Sequence, residues 1–138
     1  GGHNAIFTGL FDERIKVVVS SCGWNPLHDY YGGDLKGWTS DRYFPAIRDR
    51  YSLDPDKVPF DFYELVAALA PAAFFSNSPL HDSNFDWRGV EKAAPKIRRI
   101  YDLHGVPEKM RIAYPNDKHD FPTPVREESY EFLKHWLE

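Results

Sequence analysis

The stretch Ile15-Lys16-Val17-Val18-Val19-Ser20 is β-branched through its centre and closes on small residues, the pattern of a buried strand. Two more stretches read the same way. Ala72-Ala73-Phe74-Phe75-Ser76 lies between Pro71 and Pro79, and Met110-Arg111-Ile112-Ala113-Tyr114 is stopped by Pro115 and the turn-forming Asn116-Asp117. Helical patterns lie between them. Asp61 is placed to cap a helix whose third position is Glu64, a capping box, and Pro71 closes it. Trp87, Val90, Ala94, Ile97 and Tyr101 keep helical spacing up to Gly105, with a kink or break predicted at Pro95. Thr123 is predicted to cap a last helix with Pro124 at its first position and Val125, Phe132, Leu133 and Trp136 on one face. Strands alternating with helices predict the α/β class: about three parallel strands with helices on both faces.

One long connection, 24–59, interrupts the alternation and is rich in aromatic residues, including Tyr30-Tyr31-Gly32-Gly33 and Trp38. A connection of that length is usually functional or carries structure of its own. It is read here as a lid-like insertion within a single domain spanning 1–138, with one irregular helix between Asp41 and Tyr51. With 138 residues and 42% hydrophobic content, the chain is long and apolar enough for one folded core. A net charge of −4 disfavours nucleic acid as a partner, since phosphate backbones call for clustered Lys and Arg. No stretch approaches the roughly 20 apolar residues of a membrane span. The single cysteine, Cys22, excludes an internal disulfide framework and a zinc cage built from cysteines.

In parallel sheets ligands bind beyond the carboxyl ends of the strands, so the chemistry is sought there. Ser20, Ser21 and Cys22 follow the first strand, His81 and Asp82 the second, and His119 and Asp120 the third. A carboxylate accepting the ring N–H of a histidine fixes its tautomer and stabilises the imidazolium, and Asp82 with His119 supplies those two parts of a catalytic triad. His81, adjacent to Asp82, is read as a loop hydrogen-bonder, and Asp120 as structural. Cys22 is weighed as an alternative nucleophile beside His119 but read as a buried, inert thiol, because it lacks a sharp strand-to-helix turn. Three His-Asp pairs, His28-Asp29, His81-Asp82 and His119-Asp120, raise a zinc or manganese site, but no local ligand spacing supports it. Gly1-Gly2-His3-Asn4-Ala5-Ile6 reads as the end of a G-x-S-x-G nucleophile elbow entering its helix, which puts the serine two positions ahead of Gly1.

Gly1 to Ser20, then Pro79-Leu80-His81-Asp82-Ser83-Asn84 and His119-Asp120-Phe121-Pro122, together resemble the C-terminal half of an α/β-hydrolase. The branch they resemble is the dienelactone-hydrolase-like and acetyl-xylan-esterase-like group. The resemblance implies hydrolysis of carboxylic esters, on a small-molecule or carbohydrate substrate, through an acyl-serine intermediate. It implies Asp82 as triad acid and His119 as general base, with no metal or organic cofactor. It also implies a chain truncated just after the nucleophile serine, with no nucleophile of its own and inactive alone. Two alternatives stand beside this: a non-catalytic remnant or interaction module, and a serine peptidase of the prolyl-oligopeptidase type.

Overall fold

The computed structural model describes residues 1–138. The chain runs through α1 (Gly2–Phe11), β1 (Val17–Ser21), α2 (Ala46–Asp49), α3 (Phe62–Ala67), β2 (Ala73–Asn77), α4 (Trp87–Leu103), β3 (Met110–Ala113) and α5 (Thr123–Leu137), with short 3-10 turns between. The three strands form one parallel sheet in the order β1-β2-β3. This is a partial α/β-hydrolase fold carrying an aromatic-rich insertion. Side chains alternate between the faces of a strand, and the sheet uses both. Val18 and Phe74 join the main core with Ile6 of α1 and Val90, Ile97 and Tyr101 of α4. Phe75 points the other way, where its ring meets Phe132 of α5 at 5.5 Å.

The capping box of α3 forms as its residues dictate: the Asp61 side chain accepts from the Phe62 N–H, and Glu64 accepts from the Asp61 N–H at 2.7 Å. Asp61 also accepts from the Leu27 N–H at 3.0 Å, which ties the start of the insertion to this helix. Of the kink or break predicted at Pro95, the break does not occur: α4 is continuous from Trp87 to Leu103. Pro95 lies on the exposed side, where a carbonyl left without its helical donor meets water. The buried stripe of Val90, Ala93, Ile97 and Tyr101 holds the opposite side. Thr123 does not cap α5; the helix begins at Thr123, with Pro122 in the capping position. Its hydroxyl instead accepts from the Arg126 guanidinium at 3.3 Å.

What positions the site is the alignment of the three strand ends. Ser21 pairs with Asn77 and Asn77 with Ala113, so all three strands finish in register. Ladder-like bonds continue past that line: the Cys22 N–H donates to the Asn77 carbonyl and the Ser78 N–H to the Ala113 carbonyl, each at 2.9 Å. The His81 N–H then donates to the Asp117 carbonyl at 2.9 Å, joining the loops after β2 and β3.

Candidate active site

His119 Nδ1 lies 2.9 and 3.0 Å from the two carboxylate oxygens of Asp82, so the ring N–H points at a carboxylate and Nε2 is left as the basic nitrogen. The Asp82 side chain is 0% exposed, which would be costly for a lone carboxylate. Its cost is met locally: Oδ1 accepts the backbone N–H groups of Asn84 at 2.7 Å and Phe85 at 3.1 Å. His119 is 45% exposed, and the Phe85 ring stacks beside it at 6.1 Å.

The third member of the cluster is a thiol. Cys22 is the first residue past β1, and a sulfur, a carboxylate oxygen and an imidazole nitrogen from Cys22, Asp82 and His119 lie within 4.8 Å of one another. The Cys22 backbone has φ 48°, the left-handed region that costs a side-chain-bearing residue about 1–3 kcal/mol. Its Sγ–H donates to the Asp120 carbonyl at 3.4 Å, and Ser21 Oγ lies 3.7 Å from the sulfur. Burial, with the nearby Asp82 carboxylate adding to it, pushes the thiol up to about 12, so it rests protonated at neutral pH.

This cluster corrects two sequence expectations. The chain was expected to be truncated just after a nucleophile serine and inactive for want of any nucleophile. Cys22, Asp82 and His119 instead bring a thiol, an acid and a base together, a cluster resembling a complete triad. The missing strand-to-helix turn does not decide where Cys22 sits, because the end of β1 lies beside the end of β2 whatever follows it.

Asn77 was missed by sequence reasoning. It is 1% exposed, and its Nδ2 donates to Ser21 Oγ and to the Asp120 carbonyl, each at 2.8 Å, with the Cys22 sulfur at 3.8 Å. One carboxamide therefore fixes the loop carrying His119 against the end of β1. The available signal was an amide side chain at the last position of a buried strand, beside two loops already suspected of chemistry.

The insertion and α1 complete a cleft of about 800 Å³ whose wall includes Cys22, His119, Tyr30, Trp38, Tyr43 and Phe85. His3 of α1 also reaches the insertion. Its Nδ1 takes the Trp38 indole N–H at 3.2 Å and lies 2.6 Å from the Tyr43 hydroxyl, pinning the insertion to α1. Burial lowers its pKa to about 4, so the ring is neutral and can accept. α1 comes close because Gly2 allows it: a Cβ there would lie 2.7 Å from Ser20 Oγ and 2.8 Å from the Ser21 carbonyl. His81 is a loop hydrogen-bonder as predicted, with Nε2 at 2.7 Å from Asn116 Oδ1. His28 pairs with Asp56 at 2.9 Å and stays outside the cluster, as does His81. The three His-Asp pairs do not converge.

No family model matches the chain. It is 26% identical to "Putative hydrolase YtaP" of Bacillus subtilis (strain 168), over 99% of this chain and 43% of that protein. The carbohydrate esterase family 15 glucuronoyl esterase of Caldicellulosiruptor kristjansonii superposes with TM-score 0.77 at 21% identity, over 99% of this chain and 40% of that one. A glucuronoyl esterase from Solibacter usitatus gives TM-score 0.75 at 20% identity, with the same 99% and 40% coverage. The chain thus shares its fold with carboxylic-ester hydrolases and spans about two fifths of the length of the relatives it matches.

Proposed function

We propose that the chain hydrolyses carboxylic esters of small molecules or carbohydrates, with His119 as general base, Asp82 as the acid that orients it, and Cys22 as nucleophile. The observation that carries this reading is the contact of His119 Nδ1 with Asp82 at 2.9 Å, made beside a thiol on a cleft wall. The likeness to glucuronoyl esterases supports an ester as the substrate.

The chemistry follows from the protonation states. The thiol is neutral at rest, so attack and deprotonation are coupled: Nε2 of His119 takes the Sγ proton as sulfur bonds to the ester carbonyl carbon. Asp82 stabilises the imidazolium so formed. Collapse of the tetrahedral adduct breaks the carbon–oxygen bond, and the imidazolium protonates the departing alkoxide. The product is an alcohol and a Cys22 thioester. Nε2 then takes a proton from water as its oxygen attacks the thioester carbonyl. Collapse releases the carboxylic acid and a thiolate, which recovers its proton from the imidazolium.

Steady-state hydrolysis of p-nitrophenyl esters and of a methyl uronate by the protein and three variants tests the reading. Cys22→Ala, Asp82→Asn and His119→Ala are each expected to lower kcat/KM by about 10³-fold or more while the fold persists by circular dichroism. Wild-type rates in Cys22→Ala would remove the thiol from the mechanism. Wild-type rates in Asp82→Asn and His119→Ala would remove the whole reading.

A further inference from the structure

Cys22, Asp82 and His119 offer sulfur, oxygen and nitrogen to one point, and their surroundings suit more than proton transfer. Their donor atoms lie within 4.8 Å of one another. Ligands of a tetrahedral zinc ion sit roughly 3.3–3.8 Å apart, given bonds of about 2.0–2.3 Å. His119, at 45% exposure, has room to close the difference. Mixed sulfur, nitrogen and oxygen ligation suits a borderline-soft divalent ion and disfavours magnesium or calcium, which take oxygen ligands alone.

The surroundings of the ligands are also in place. Ser21 Oγ at 3.7 Å presents a hydrogen-bond donor to the Cys22 sulfur, which suits a metal-bound thiolate, and Asn77 holds that hydroxyl in place by donating to it at 2.8 Å. The Asn84 and Phe85 N–H groups hold the Asp82 carboxylate, so it cannot swing away. The cleft supplies an entry path and leaves a fourth position open to water, because Cys22 and His119 both line it.

We infer that Cys22, Asp82 and His119 form a binding site for Zn²⁺ or a similar thiophilic divalent cation, and that the cation blocks ester hydrolysis. The ion takes the place of the thiol proton, which leaves to solvent. The imidazole binds as a neutral ring, and one Asp82 oxygen joins the ion. The base is then occupied and the nucleophile masked. The blocking rests on the ester-hydrolase reading; the binding does not.

The test is made on the metal-free protein with the metals alone. Calorimetry with Zn²⁺ is expected to show one ion per chain, with no heat from Mg²⁺. Replacing Zn²⁺ by Co²⁺ is expected to give a thiolate-to-cobalt charge-transfer band in the unmutated protein, so the test does not depend on a variant that folds. Cys22→Ser is expected to abolish that band and weaken Zn²⁺ at least about tenfold. Lack of the band, or Zn²⁺ bound equally by Cys22→Ser, would overturn the site. Zn²⁺ bound at Cys22 with ester turnover unchanged would leave the site standing and overturn the blocking. A protein that binds Zn²⁺ this way but hydrolyses no ester would locate the failure in the ester reading instead.

Discussion

The carboxyl edge of the sheet and the insertion at 24–59 both wall the cleft, yet they are built by opposite means. At the sheet edge, three strands end in register and place Cys22, Asp82 and His119 by polar contacts: Asn77 to the Asp120 carbonyl, two backbone N–H groups to Asp82, and Asp82 to His119. The insertion has only short helical pieces, α2 and three 3-10 turns, and holds its shape by rings. Trp38 stacks on Phe62 at 4.4 Å and meets the Tyr30 ring at a tilt at 4.6 Å, and both Trp38 and Trp24 are 1% exposed. Polar contacts at the edge set directions, so losing one there misaligns a side chain of the proposed site. Ring burial in the insertion supplies cohesion, so a loss there costs stability first.

Mutations break or sharpen that contrast. The largest effect is expected at the edge: Asp82→Asn lowers kcat about 10³–10⁴-fold by presenting the wrong partner to Nδ1–H, with little change in thermal unfolding. Trp38→Ala is expected to cost about 3–5 kcal/mol in denaturant unfolding, a cavity effect in the insertion. If Asp82→Asn destabilised as much as Trp38→Ala, the division of labour would fail. Asn77→Ala should fall between the two regimes. It loses about 1–3 kcal/mol with the Nδ2 bonds to Ser21 Oγ and the Asp120 carbonyl, and it is expected to lower kcat while leaving KM nearly unchanged. Asp61→Ala removes a helix cap and the anchor of Leu27, and is expected to cost about 1 kcal/mol with kcat preserved.

The smallest effect concerns pH. His3 titrates at about 4 in the fold against an ordinary 6.5, so the unfolded chain binds more protons between those values. Its contribution to stability is present above pH 6.5 and is lost as pH falls toward 4. Urea unfolding across that window is expected to show a shallower pH slope in His3→Gln than in the parent.

The two regions also differed in how far they could be read from the residues alone. The strands, their parallel order, the capping box at Asp61 and the pairing of Asp82 with His119 were legible because each rests on a local pattern or on strand-end logic. Pro95 does not end the helix because α4 turns that residue to water and keeps a buried stripe opposite. The position of Cys22 is set by the register of β1 with β2, which the turn following it does not reveal. Asn77 and His3 were illegible for a common reason: their partners, Asp120 and Tyr43, are distant in sequence and reach them only through the packed fold. In the insertion, rings recur with no helical or strand period, so only its aromatic content could be read.

In the proposed reaction Cys22 acts with His119 and Asp82 as one unit. Mass spectrometry of the protein acid-quenched during turnover of an activated ester tests it most directly. An acyl group carried on the Cys22 peptide, accumulating in the parent and absent in His119→Ala, is expected. Ester consumed at the parent's rate with the Cys22 thiol unmodified, and equally by Cys22→Ala, would contradict it.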